Sequence, residues 1–203
     1  MPVEPLEAKQ GDAAKPRAAE RILGTASDLF YREGIRAVGV DEIVARAGVT
    51  KPSLYRAFAS KDELAAAYMR EYDADFWRRF EAALDSSDSS DPRERLLAFL
   101  RRAGERAQHA GYRGCGMTNA AVEYPDPANP ARKVAEANKR ALRQRLTEFA
   151  AAMGAVDPEE LGDGLLLLVE GAYVSGQLFG EGGPSRSLAA VADRLIRASL
   201  RRD

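Results

Sequence analysis

Residues 48–61 read GVTKPSLYRAFASK, with a proline in the middle of apolar residues spaced for a helix. A proline inside a helix costs roughly 3 kcal/mol, but in the first turn it sacrifices no hydrogen bond, because the first N–H groups have no intrahelical partner. The flanking residues put Pro52 in that first turn. Gly48 suits the left-handed conformation that closes a preceding helix, and the Thr50 hydroxyl suits the N-cap of the next. Leu54 and Phe58, four apart, then face inward, which leaves Thr50, Lys51, Ser53, Tyr55 and Arg56 facing outward. Ser60-Lys61-Asp62-Glu63 has the S-x-x-E form of a capping box and starts a further helix at Lys61.

Working upstream, Ile22, Leu23, Ala26, Leu29 and Phe30 recur at intervals of three and four, which predicts a helix over 17–33 ended by Gly34. Residues 40–47 form a second, with Asp41 and Glu42 in the first turn, where the helix dipole favours acids. The short turn Gly48-Val49-Thr50 between the second and third helices has the spacing of a helix-turn-helix. In that arrangement the later helix offers its N-terminal residues to the DNA major groove, while basic side chains and helix N-termini hold phosphates.

Downstream, the same periodicity predicts helices over 61–84, from Pro92 onward, 118–123, 131–153, 158–179 and 185–201. The polar run DSSDSSDP at 85–92 links the first two of these. In the helix over 131–153, Val134, Ala141, Leu142, Leu146 and Phe149 are expected on one side. No stretch alternates convincingly as a strand. The expected fold is all-α with about nine helices: a flexible tail at 1–16, a helix-turn-helix unit at 17–62 and a helical body at 63–203.

Of 203 residues, 45% are hydrophobic and 30% charged, enough apolar content for a sizeable core. The net charge of -1 hides an asymmetry: residues 15–62 carry nine Lys/Arg against six Asp/Glu, so a mildly basic end precedes a mildly acidic body. Cys115 is the only cysteine and His109 the only histidine, which leaves no disulfide and no His-rich metal site. There is no Gly-rich phosphate loop with a following Lys-Ser/Thr, no G-x-S-x-G elbow, and no apolar run of membrane-spanning length. These absences predict a cytoplasmic protein that is not an enzyme, holds no metal or cofactor, and does not enter the membrane.

The run GIRAVGVDEIVARAGVTKPSLYRAFASKDEL resembles the DNA-binding domain of the TetR family of bacterial transcriptional regulators. The resemblance combines helix length, the turn, the T-K-x-S-L-Y-x-x-F block and the S-K-D-E-L cap in one register, over about a quarter of the chain. It implies a homodimer on a palindromic, double-stranded DNA operator, most often a repressor, released by a small-molecule effector in the C-terminal domain. Carried over, Thr50, Lys51, Ser53 and Tyr55 would contact bases or phosphates, and Lys61 would sit on a phosphate. Pro52 stands where many relatives have Gly, and Ala57 where many have His. The latter removes a commonly used phosphate donor, and Arg56 would take its place. The alternative is a helical ligand-binding or interaction protein without sequence-specific DNA binding.

For the body, small residues at Gly171, Ala172, Ser175 and Gly176 permit close helix approach, and Leu188, Val191 and Leu195 supply an apolar face on the last helix. The resemblance implies that these two helices form the dimer interface. Candidate pocket residues are Trp77, Phe99, Met117, Asn119, Glu123, Phe149 and Tyr173, with Phe80, Tyr124 and Phe179 as further bulky residues. Asn119 and Glu123 lie one turn apart, which places two polar groups on one helical face.

Overall fold

The computed structural model describes residues 17–200, so the expected tail at 1–16 and Arg201 lie outside the described residues. Among the described residues the fold is all-α. Nine α-helices run α1 (Ala18–Glu33), α2 (Val40–Ala47), α3 (Lys51–Ala57), α4 (Lys61–Leu84), α5 (Pro92–Arg106), α6 (Gly116–Glu123), α7 (Pro130–Ala152), α8 (Pro158–Phe179) and α9 (Leu188–Ser199). A 3-10 turn, Pro184–Ser187, precedes α9, where the sequence pattern predicts a single longer helix. Among the described residues, the only β-type pairing is an isolated bridge between Ala155 and Leu200.

The helix ends follow from cap chemistry. Asp91, Asn129 and Asp157 each accept a backbone N–H as N-cap, and each is followed by a proline in the first turn. Ser60 accepts from the Glu63 N–H at 3.1 Å. Only this half of the expected capping box forms, because the Glu63 carboxylate stays out in solvent.

Helices α1–α3 close over Ile22, Ala26, Leu29, Phe30, Ile43 and Leu54, all buried. This small core continues through Ile35, Val38, Leu64 and Tyr68 into the body, and α4 is shared by both parts. In the body, α7 packs against α4, α6 and α8, while α9 packs against α5 and α8. The buried face of α7 runs Ala131, Ala135, Asn138, Leu142, Leu146 and Phe149. Ala141, expected on that face, is exposed, because the i, i+3/i+4 stripe set by Ala131 and Ala135 passes through 138 and 142 instead.

Two close approaches depend on glycine. A Cβ on Gly104 of α5 would lie 2.6 Å from the Ser185 carbonyl, and one on Gly176 of α8 would lie 2.4 Å from the Ala107 carbonyl. These are main-chain contacts, so α5 can approach α8 and the 3-10 turn only where no side chain intervenes. No helix among the described residues is long and apolar enough to cross a membrane.

Candidate nucleic-acid interface

The turn between α2 and α3 is fixed from three directions. Gly48 adopts φ 61° and ψ 42°, the left-handed closure its position demands. The Val49 N–H donates to Val44 O at 3.0 Å. The Arg21 guanidinium on α1 donates from Nη2 to Ala47 O at 2.5 Å and to Gly48 O at 2.6 Å. A cation on these carbonyls satisfies acceptors that the end of α2 would otherwise leave open, at the negative pole of its dipole. Arg21 was not singled out from sequence, since its partners are 26 and 27 residues away.

From that turn α3 projects as expected. Thr50 is the N-cap, accepting from the Ser53 N–H at 3.4 Å with the two hydroxyls 2.9 Å apart. Leu54 is fully buried and Phe58 half-buried. Thr50, Lys51, Arg56 and Ala57 are exposed, Ser53 is half-exposed, and Tyr55 is 46% exposed. Lys51 Nζ lies 2.8 Å from Asp41 of α2. That hydrogen bond and charge hold the Lys51 ammonium above the ordinary lysine pKa. Lys61, at the start of α4, donates to Arg36 O at 3.3 Å, and partial burial lowers its pKa. The structure therefore puts five of the six named residues on one open end of the three-helix unit and holds Lys61 beside the α1–α2 connection.

A cavity of about 250 Å³ lies in the body between α4, α5, the loop before α6 and α8. Phe76, Phe80 and Phe99 supply apolar walls, and Tyr72, Tyr112 and Tyr173 add rings that carry hydroxyls. Burial pushes all three phenols well above their ordinary pKa, so they remain neutral O–H groups. Arg79, Arg102 and Arg106 also line the cavity, and Cys115 closes one side. Behind that wall, Lys139 Nζ sits 3.3 Å from Cys115 Sγ and pairs with Glu170, which accepts from the Thr118 hydroxyl at 2.7 Å.

Of the residues nominated from sequence, Phe99, Tyr173 and Phe80 line this cavity. Trp77 stands just outside, edge-on to Phe76 and Phe80 at 5.2 and 5.4 Å. Met117 is fully buried core. Phe149 lies under the Arg145 guanidinium at 5.2 Å, away from the cavity, and Phe179 is exposed. Asn119 and Glu123 do share a face, but it is turned to the three-helix unit, beside Phe30, Tyr31 and Ile35: Glu123 accepts the Arg36 N–H at 2.7 Å, while Asn119 Nδ2 donates to Arg113 O of the preceding loop at 2.7 Å. The arginines were missed because α4 and α5 carry many charged residues, and nothing local marks those that turn inward.

The nominated interface residues divide similarly. Ala172, Gly176 and Leu188 pack within the chain, while Gly171 and Val191 are exposed and Ser175 and Leu195 half-exposed. The uncovered stripe on α8 runs Leu167, Gly171, Val174 and Leu178, with Leu167 and Leu178 each 73% exposed. Their spacing of three and four keeps them on one helical face.

Comparison with known proteins places this geometry in a family. The sequence profile described as "Bacterial regulatory proteins, tetR family" matches residues 22–68, from α1 into α4. The crystal structure of SCO4454, a TetR-family transcriptional regulator from Streptomyces coelicolor, superposes with a TM-score of 0.81 at 33% identity, covering 91% of this chain and 96% of that one. The transcriptional regulator AcuR of Cereibacter sphaeroides is 33% identical over 171 residues, which is 79% of this chain and 77% of that protein. The HTH-type transcriptional regulator YjdC of Escherichia coli is 26% identical over 155 residues. The chain is a DNA-binding transcriptional regulator with a helix-turn-helix. It belongs to the TetR family.

Proposed function

We propose that the protein is a ligand-responsive repressor that binds a palindromic operator as a homodimer. The observation that carries this reading is the open end of α3, where Thr50, Lys51, Ser53, Tyr55 and Arg56 converge, four of them exposed and Ser53 half-exposed among the described residues. Lys51 exchanges Asp41 for a phosphate at little cost, because both members of the pair are solvent-exposed and water screens their attraction. Lys61 holds a second phosphate at the start of α4, Ser53 and Tyr55 read bases, and Arg56 supplies the donor absent at Ala57. Residues 17–62 act as the reading head, and 63–203 as the effector-binding and dimerising body.

One head makes few phosphate contacts, and a two-fold partner doubles them. The uncovered stripe on α8 with Val191 on α9 supports pairing through these helices, since a contiguous apolar face on a soluble protein marks an interaction surface. Among the relatives, one is named a transcriptional repressor, NemR of Escherichia coli, and one a transcriptional activator, FasR of Mycolicibacterium smegmatis.

Selection of bound duplexes from a random pool tests the reading. It should return an inverted repeat, and the same sequence placed over a promoter should lower reporter output when the protein is present. Recovery of a single half-site, or of no enriched sequence, overturns it.

A further inference from the structure

The cavity in the body combines an aromatic lining with a charge pattern of one sign. Arg79, Arg102 and Arg106 face it and, among the described residues, no carboxylate lines it. Their partners outside are few. Arg79 is 3.7 Å from Asp75, which is already bound to Arg78, and Arg102 donates to the Ser86 hydroxyl at 3.2 Å. Arg106 has no ion pair among the described residues. Burial, and next the neighbouring Arg106 charge, lower the pKa of Arg79, so these guanidiniums crowd one another. Arg79 and Arg102 are exposed and Arg106 half-exposed, so the three stand at the rim of the cavity as cations of one sign, and an anion among them relieves their repulsion and takes up their free donors. The lining is also almost wholly donor: guanidinium N–H and phenol O–H groups, over walls of Phe76, Phe80 and Phe99.

We infer that this cavity binds a small organic carboxylate with an aromatic or similarly apolar body, its carboxylate held by Arg102 and Arg106 and its apolar part against the phenylalanines. The planar guanidinium matches a carboxylate in two parallel hydrogen bonds, which a neutral amide of the same shape cannot reproduce. The cavity is smaller than the range typical of drug-sized ligands, which sets the scale of the body at about one ring with a short chain. The inference rests on the proposal that the body binds an effector, but it concerns the cavity's own chemistry and is tested on the cavity directly.

The probes are 4-phenylbutanoate, its amide and the corresponding primary amine, added to the full-length protein. Trp77, the only tryptophan, is in edge contact with two cavity-lining rings, so its fluorescence reports occupancy, with calorimetry as the second readout. The acid should bind at least about tenfold more tightly than the amide, and the amine not measurably. Arg102→Gln with Arg106→Gln should erase the preference for the acid while leaving amide binding intact, which also shows that the cavity has kept its shape. Arg106→Lys should restore only part of the preference. The inference fails if the amide binds as tightly as the acid, if no acid binds at millimolar concentration, or if the double variant keeps the preference. Operator affinity measured in parallel separates the two readings: an acid that binds the cavity and leaves DNA affinity unchanged upholds the assignment of the cavity and removes its coupling to the head.

Discussion

The helix-turn-helix unit and the cavity in the body are built in opposite ways. The residues that shape and start α3 lie within a few positions of it: Gly48 closes α2, Thr50 caps, Pro52 starts the helix, and Leu54 anchors it in the small core it shares with α1, from which Arg21 also reaches the turn. The cavity draws Tyr72, Phe99, Cys115 and Tyr173 from four separate parts of the chain. A surface made by local chemistry keeps its geometry when its surroundings change. A cavity made by long-range packing inherits every change in how its helices meet.

Substitutions at three sites test that contrast. The largest effect is expected from Gly176→Ala, because the added Cβ would stand 2.4 Å from the Ala107 carbonyl and 3.0 Å from Tyr112, a cavity wall. Forcing such a contact costs about 1–3 kcal/mol, visible in chemical denaturation, and ligand binding should suffer along with stability. If stability is unchanged, the cavity is less dependent on distant packing than argued. Thr50→Ala comes next, with a loss of about 1 kcal/mol from the missing cap and a fraying of α3 seen in amide exchange confined to the head. Exchange rates that rise across α5 and α8 as well would break the separation of the two parts. The smallest effect on folding is expected from Lys51→Ala, with a denaturation midpoint close to that of the parent, because the side chain is exposed. Its operator affinity should instead fall, and the slope of log K against log salt should become shallower by about 0.9 for one lost phosphate contact. An unchanged slope would remove Lys51 from the DNA surface.

The same contrast explains how much was legible in the sequence. The bounds of α2, α4 and α8 follow from apolar periodicity and from caps that act within four residues, and the exposure of α3 follows from the register of Leu54 and Phe58. The cavity did not follow, although Phe99 and Tyr173 were nominated for their bulk. Asn119 and Glu123 do share a face, but spacing along a helix says nothing about which neighbour that face meets. The tertiary packing of α6 turns it to the head. Likewise the small residues of α8 mark close approach, and two of them, Ala172 and Gly176, spend it inside the chain, while the uncovered stripe passes through Leu167, Val174 and Leu178.

One contact between the two parts concerns how they can be exchanged. The Arg36 main-chain N–H donates to the Glu123 carboxylate, and Gly34 beside it has φ 94°, where a Cβ would stand 3.3 Å from the same carboxylate. The head contributes a backbone shape at this joint and no particular side chain. A foreign head fits this body at that corner if it keeps a glycine at 34 and an available amide two residues later, whatever its α3 reads. Beyond that corner, the Tyr31 hydroxyl of α1 accepts the Arg113 N–H at 3.2 Å and donates to Gly114 O at 3.4 Å, so a chimaera must keep this side chain as well as the two backbone positions.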